Sequence, residues 1–448
     1  MSKKIKYFSF FSLIVLLVGC SFNKNRIWTG SQEEKDKISA IAKEQKKIEK
    51  INVYSSKINS DLKEITPIKS IKLNVPQKNS SWLVSDFNLQ NYKGNLYLDQ
   101  ISNKFLKKKV GKNKFEISKI SASPLFFNDN IFFSDDTGTV FSVNLRGKLN
   151  WKKNIYKKVF KKIYKNLSLA INKDKIFVSD NIGFIYSINI ETGKILWIKN
   201  HGIPLKSRIK IFDNKLYLIN QDNRLICLNI NNGNLIWDVR SVSSFIKSQN
   251  FLSLAISKDE NLFMLTSSGD LMKLSANSGR LYWTINTSSV SDASSDFFKS
   301  SDIVVTDTDV ILFAESKIYS FKNSNGYLNW EKNIDSTNTP IVDSNYVFAV
   351  SDNGFVVCID KISGQIIYSL NILKILKKRK QKTLITGFVL GSNKIYSTTM
   401  NGFLITSSAI TGEVENFRKI GDSITSAPII SNGSLYILTN NSKILGFN

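Results

Sequence analysis

The stretch KIFVSDNIGFIYSINIETGKILW, residues 175–197, decides the architecture. It reads as two apolar runs on either side of a polar turn, then a second turn containing Gly193, then a third run ending on Trp197. Apolar runs alternating about a short turn predict an antiparallel hairpin, and the Gly-centred turn adds a further strand. Seven other segments repeat the hairpin: NIFFSDDTGTVFSV (130–143), KLYLINQDNRLICL (215–228), NLFMLTSSGDLMKL (261–274), VILFAESKIYSF (310–321), YVFAVSDNGFVVCI (346–359), KIYSTTMNGFLITS (394–407) and SLYILTNNSKILGF (434–447). A recurrence every 36 to 49 residues is the period of propeller blades. The expected fold is all-β: an eight-bladed β-propeller of four-stranded antiparallel blades.

The tail of each unit is as regular as its hairpin. A Gly precedes an aromatic residue by four positions in Gly147 and Trp151, Gly193 and Trp197, Gly233 and Trp237, Gly279 and Trp283, Gly326 and Trp330, and Gly364 and Tyr368. Gly supplies a positive-φ corner, and the ring that follows is suited to filling the gap between sheets. The seventh copy, ITGEVENF, keeps Gly412 but places Phe417 one position late, and the eighth ends at Asn448 without a tail. The missing strand is expected upstream, in NKFLKKKVG, where Phe105, Leu106 and Val110 offer apolar positions. Residues of about 104 to 110 would then complete the last blade and remove the free seam.

The N-terminus predicts the compartment. Lys3, Lys4 and Lys6 precede an apolar core from Tyr7 to Val18, and Leu17-Val18-Gly19-Cys20 resembles a bacterial lipoprotein cleavage box. The apolar run is shorter than the roughly 20 residues that cross a bilayer. Residues 1–19 are read as signal peptide, ordinary secretion being the alternative, with lipid attached at Cys20. Ser21 stands where an Asp would resemble an inner-membrane retention signal, which favours the outer membrane and its periplasmic face. Residues 20–79 are rich in Lys, Glu, Ser and Asn and read as a polar tether, with the propeller at 80–448. Within the tether, Ser31 and Glu34 form a capping box that predicts a helix over SQEEKDKISAIAKEQKKIEKI.

The net charge is +26, and loss of the three signal lysines leaves +23. Such an excess suits anionic partners. Lys, Asn and Ile are abundant throughout, however, as an AT-rich coding sequence would give, and an exported chain meets little nucleic acid. The runs at 106–110, 156–165 and 376–382 are candidates for contact with anionic lipid or an acidic partner.

Catalytic groups are scarce. His201 is the single histidine, so no His cluster for zinc or general-base work can form, and it is expected as an exposed loop residue. Cys227 and Cys358 sit at equivalent repeat positions, where blade geometry keeps them apart, and are expected as small buried residues. No metal site and no cofactor are expected, and the chain is not expected to be an enzyme.

Three units, IYSINIETGKILW, ICLNINNGNLIW and VCIDKISGQIIY, resemble the quinoprotein or PQQ-like propeller repeat. Enzymes of that superfamily use pyrroloquinoline quinone, calcium and, in many, adjacent cysteines, and this chain has no adjacent Cys pair. The lipoprotein box, tether and propeller together resemble the BamB family of the outer-membrane β-barrel assembly complex, including the entry segment NSSWLVSDFNLQNY (79–92) with Trp82. That resemblance implies a non-catalytic scaffold docking to the POTRA domains of BamA, among other complex members, and helping nascent outer-membrane β-barrel proteins insert. The loop SSDFFKSSDIVVT (294–306) resembles the family's partner-binding stretch: Asp302 fits its first acidic position, while Val304 replaces a second Asp. Asp296 and Asp302 are therefore the candidate contacts, within a loop running from Thr284 to Ile303. A PQQ-dependent dehydrogenase and a propeller lipoprotein for another envelope partner, such as polysaccharide or peptidoglycan, are the alternatives.

Overall fold

The structure is a computed structural model that describes residues 32–48, 62–109, 111, 123–241, 252–287, 298–379, 383–424 and 426–448. It divides into two compact units. The smaller comprises Met1–Ser55 and Asn154–Tyr164. Its helix α1, Gln32–Ile48, occupies the span that the capping box predicts, carries an i,i+4 ion pair between Glu33 and Lys37, and buries Ile38. In the same unit a short 3₁₀ turn, Lys158–Lys162, buries Phe160, whose ring lies 5.8 Å from that of Tyr156.

The larger unit holds eight four-stranded antiparallel sheets in a ring, a β-propeller. Blades 1 to 7 are sequential meanders over 125–154, 167–200, 210–240, 254–286, 304–333, 341–371 and 385–419. Blade 8 takes three strands from 429–447 and its outermost strand, Lys104–Lys109, from the N-terminal side. Leu106 pairs with Gly446 and Lys109 with Lys443, so the ring closes where the sequence predicts. Asn103 and Asn448 exchange both backbone hydrogen bonds beside that strand, at 2.8 and 3.0 Å.

Burial departs from simple alternation in the second and third strands. In Lys215–Ile219, the consecutive residues Leu216, Tyr217, Leu218 and Ile219 are all buried. Each sheet lies between two neighbours, so both faces of its central strands meet apolar surface. The core accordingly sits between blades: one cluster joins Phe177 and Ile185 of blade 2 to Leu216 and Leu228 of blade 3, and another joins Phe348 and Val356 of blade 6 to Phe388 and Ile405 of blade 7. Alternation survives on outermost strands such as Ile195–Asn200, where Leu196 and Ile198 are exposed.

The propeller's contacts begin upstream of the expected boundary at 80. Ile65 exchanges backbone hydrogen bonds with Ser369, Lys69 pairs with Asp360 at 2.9 Å, and Asp343 accepts from the backbone N–H of Asn74 at 2.8 Å. Residues 62–79 therefore line blades 6 to 8 instead of extending as a solvated spacer, since Asn79 also donates to the Ile430 carbonyl.

Candidate functional site

The Gly-to-aromatic repeat is an inter-blade joint. A Cβ placed on Gly193 of blade 2 would lie 2.6 Å from Trp151 of blade 1, and Gly233, Gly279, Gly326, Gly364 and Gly412 meet Trp197, Trp237, Trp283, Trp330 and Tyr368 in the same way. Each aromatic tip also crosses to the next blade. Trp151 Nε1 donates to the Ile190 carbonyl at 2.9 Å, Trp330 Nε1 to Lys361 at 2.8 Å, and the Tyr368 hydroxyl to Ala409 at 2.7 Å. The ring thus covers a bare glycine backbone while its polar edge is satisfied, which is why Gly and the aromatic recur together. The exceptions coincide with the seam. Blade 8 has no turn joining its third strand to its outermost one; on blade 7 the joint position is Asn416, paired with Thr406, and Phe417 packs into the blade 6–7 core. Leu106 of blade 8 takes the aromatic's place beneath Gly147 of blade 1.

The entry segment does far more than open the domain. From Trp82 to Asp99 it touches the innermost part of every blade in turn. Trp82 and Phe126 exchange backbone bonds at 2.8 and 3.0 Å on blade 1, Ile171 N–H reaches Leu83 on blade 2, and Lys210 Nζ reaches the Asn88 carbonyl on blade 3. Ile256 N–H then donates to Leu89 on blade 4, Val305 N–H to Gln90 on blade 5, and Asn95 N–H to the Asp343 carboxylate on blade 6. Leu96 N–H donates to Leu390 on blade 7 and Asp99 N–H to Gly433 on blade 8. Positive φ at Asp86, Phe87, Asn91 and Gly94 bends the chain around this circuit. Asn91, favoured at such a φ by its short polar side chain, donates to both Leu254 and Ile303 and accepts from Lys210 at 2.5 Å. Sequence alone shows the segment's Asn, Gly and apolar residues, but a strap that pairs with eight separate sheets leaves no periodicity to detect.

Five charged side chains meet along this strap. Arg208 pairs with Asp86 and Asp302, and Lys93 lies 3.2 Å from Asp86. Lys210 adds a third cation from blade 3. Burial raises the Asp302 carboxyl, but Arg208, Lys210 and Lys93 more than offset it and hold it below its ordinary value. Burial pushes Lys93 down to about 8 and Lys210 down to about 7, with Asp302 opposing both shifts.

This cluster fixes the place of Asp302. Its side chain is mostly buried and saturated by cations of the same chain. Nearby Phe298 is buried, Lys299 bridges Asp335 at 2.6 Å and Asp352 at 3.0 Å, and Ile303 is buried, so residues 298–303 are anchored to the ring. At the other end of the expected loop, residues 284–286 belong to the strand Leu281–Asn286. Asp296 and Cys20 lie outside the described residues. His201 is half-buried, not fully exposed; desolvation first, then Lys199 and Arg224, lower its pKa. Cys227 and Cys358 are free, buried thiols in blades 3 and 6, both pushed up by burial, Cys227 to about 11. Their positions face the joint aromatics, pairing with Trp237 and Tyr368, where a small side chain leaves room for the ring.

The residues present do not fit a quinone-and-calcium centre. The two propeller cysteines occupy separate blades, and residues 82–99 with their ion pairs cover the innermost strands. Among the described residues, no group of three or more His, Cys, Asp or Glu is placed to hold a metal ion, and no helix is long and apolar enough to cross a membrane.

Among solved structures, the fold is similar to BamB from Moraxella catarrhalis, with a TM-score of 0.63 at 12% identity over 77% of this chain and 99% of that one. It is also similar to a quinohemoprotein alcohol dehydrogenase from Comamonas testosteroni, with a TM-score of 0.66 at 10% identity over 93% and 84%. A europium-containing methanol dehydrogenase gives 0.61 at 12% identity over 80% and 89%. These likenesses show the propeller fold. No curated protein matches the sequence. A family model described as outer membrane protein assembly factor BamB matches residues 136–370, more than half of the chain. Repeat, ring and family match agree: the chain belongs to the PQQ-like repeat family of outer membrane protein assembly factor BamB.

Proposed function

We propose that the chain is a non-catalytic scaffold of the outer-membrane β-barrel assembly machinery, held at the periplasmic face by lipid on Cys20. In this reading it docks to the POTRA domains of BamA and assists insertion of nascent β-barrel proteins. The family match over residues 136–370 carries the proposal. The architecture supports it, because a closed ring of eight blades packed through inter-blade cores presents its loops on a rigid body that loses little conformational entropy on binding. The strap over residues 82–99 supports a scaffold over a dehydrogenase, since it fills with the chain's own side chains the region where the innermost strands converge.

Asp296 is the proposed contact, and Asp302 serves it indirectly by fixing the end of the loop against Arg208. Affinity purification from native outer membranes tests both statements. Wild type is expected to recover BamA; Asp296→Lys is expected to lose it with unchanged thermal stability, whereas Asp302→Lys is expected to lower stability. Recovery of envelope polysaccharide without BamA, or dye-linked alcohol oxidation after adding pyrroloquinoline quinone and Ca²⁺, would remove the scaffold assignment.

A further inference from the structure

The outermost strands of blades 8 and 1 differ from those of the other blades. Lys104, Lys107, Lys108 and Lys109 are exposed on the blade 8 strand, and Lys152 and Lys153 on the blade 1 strand Leu149–Asn154. The turn between the third and fourth strands of blade 1 adds exposed Arg146 and Lys148. These groups share one corner: the Cβ position of Gly147 in that turn is 2.9 Å from Leu106 and 3.4 Å from Lys108. On blades 3, 5 and 7 an outer-strand carboxylate neutralises a neighbour, in Asp238 with Arg224, Glu331 with Lys317 and Glu415 with Lys394, while the outer strands of blades 2, 4 and 6 carry at most one lysine. Neither outer strand of blades 8 and 1 carries a carboxylate, and their lysines make no ion pair among the described residues. The acidic groups beside the corner are Asp129, whose carbonyl accepts from the Leu145 N–H, and Asp422, which pairs with Lys443 opposite Lys109, so the eight cations remain in excess.

We infer that this corner is a docking surface for an anionic phospholipid bilayer. A six-residue strand spans about 20 Å at roughly 3.3 Å per residue. Its charges therefore lie within one or two Debye lengths of one another, about 8 to 10 Å each in physiological salt, and act together on a charged plane. Six of the eight cations are strand lysines, flexible point charges suited to a mobile layer of headgroups, whereas recognition of one fixed phosphate or of nucleobases favours the arginine fork. Leu149 stands exposed at 45% beside them and can enter the bilayer interface, while the Phe105 ring, 39% exposed, lies over Gly446 and edge-on to Tyr436. Apolar side chains among lysines fit a lipid surface better than they fit a polyanion in water.

The full chain is sedimented with vesicles of phosphatidylcholine alone and of phosphatidylcholine mixed with phosphatidylglycerol. Each lysine near an anionic surface strengthens partitioning about fivefold, so K104Q/K107Q/K109Q/K152Q is expected to weaken binding to the anionic vesicles on the order of a hundredfold or more. A control, K194Q/R240Q/R280Q/K322Q, removes the same charge from other blades and is expected to bind nearly as wild type. Equal losses in both variants, or none in the first, overturn the inference. So does a loss seen only with double-stranded DNA or polyglutamate as the probe. A second measurement on wild type guards against a folding defect: acylation footprinting is expected to protect Lys104, Lys107, Lys109, Lys152 and Lys153 when anionic vesicles are added, and protection confined to other lysines overturns the assignment.

Discussion

Replacing Gly193 with Ala tests the inter-blade joint directly, because two costs can be separated there. Gly193 has φ +68°, a conformation that costs an L-residue about 1–2 kcal/mol. The added Cβ would also stand 2.6 Å from Trp151 Cε3, and overpacking of this kind costs about 1–3 kcal/mol. Gly193→Ala should therefore destabilise the propeller by about 2–5 kcal/mol. Gly202, at φ +74° with nothing within 4 Å of its Cβ position, isolates the backbone cost, so Gly202→Ala should lose only about 1–2 kcal/mol. Trp151→Ala alone should cost about 2–4 kcal/mol, somewhat below the usual range for a core aromatic because the ring is half-exposed, with the hydrogen bond to Ile190 included. In the double variant the clash has no partner, and the two losses should sum to about 1–3 kcal/mol more than the pair actually costs. Urea unfolding followed by far-ultraviolet circular dichroism measures all four. Additivity of Gly193→Ala and Trp151→Ala within about 0.5 kcal/mol, or Gly202→Ala as damaging as Gly193→Ala, would refute the joint.

Asn91→Ala should cost at least about 3 kcal/mol, because it orphans the buried Leu254 and Ile303 carbonyls and removes an acceptor from Lys210; a urea midpoint within error of wild type would contradict the strap's role. Leu106→Asp should lower the stability of the whole ring in one cooperative transition, since it places a carboxylate under Gly147 at the seam; loss of signal in blade 8 amides alone by hydrogen exchange would argue against closure there. Lys93 and Lys210 are depressed to about 8 and about 7, so above pH 7 the folded chain holds fewer protons than the unfolded chain, and stability should rise with pH. Each fully shifted proton contributes up to about 1.4 kcal/mol per pH unit, until thiols of the unfolded chain begin to ionise near pH 8.5. Lys210→Met should flatten the rise in melting temperature between pH 7 and 8.5, and an unchanged slope would show that this lysine does not titrate there.

The family and the candidate contacts were legible to different depths. Eight hairpins, six Gly-to-aromatic tails and the lysine-rich strand at 104–109 are local patterns, and each appears in the fold at its expected place. Asp302 fits a motif in sequence, yet its carboxylate is held by Arg208 from two blades earlier, a partner that no spacing argument could supply. The half-buried setting of His201 likewise depends on residues outside its own loop.

The sequence by itself determined blade number, strand order and the position of ring closure, because strand period and turn chemistry are written within a few residues. Only the tertiary structure decided what those elements touch. Burial on both faces of the central strands follows from neighbouring sheets. The strap of residues 82–99 exists only because eight inner strands converge, and its charge cluster exists because the strap passes two of them that Arg208 and Asp302 immediately precede. Arg208 stands 122 positions from Asp86 and 94 from Asp302, and the energies of such contacts depend on distance and burial that no local pattern encodes.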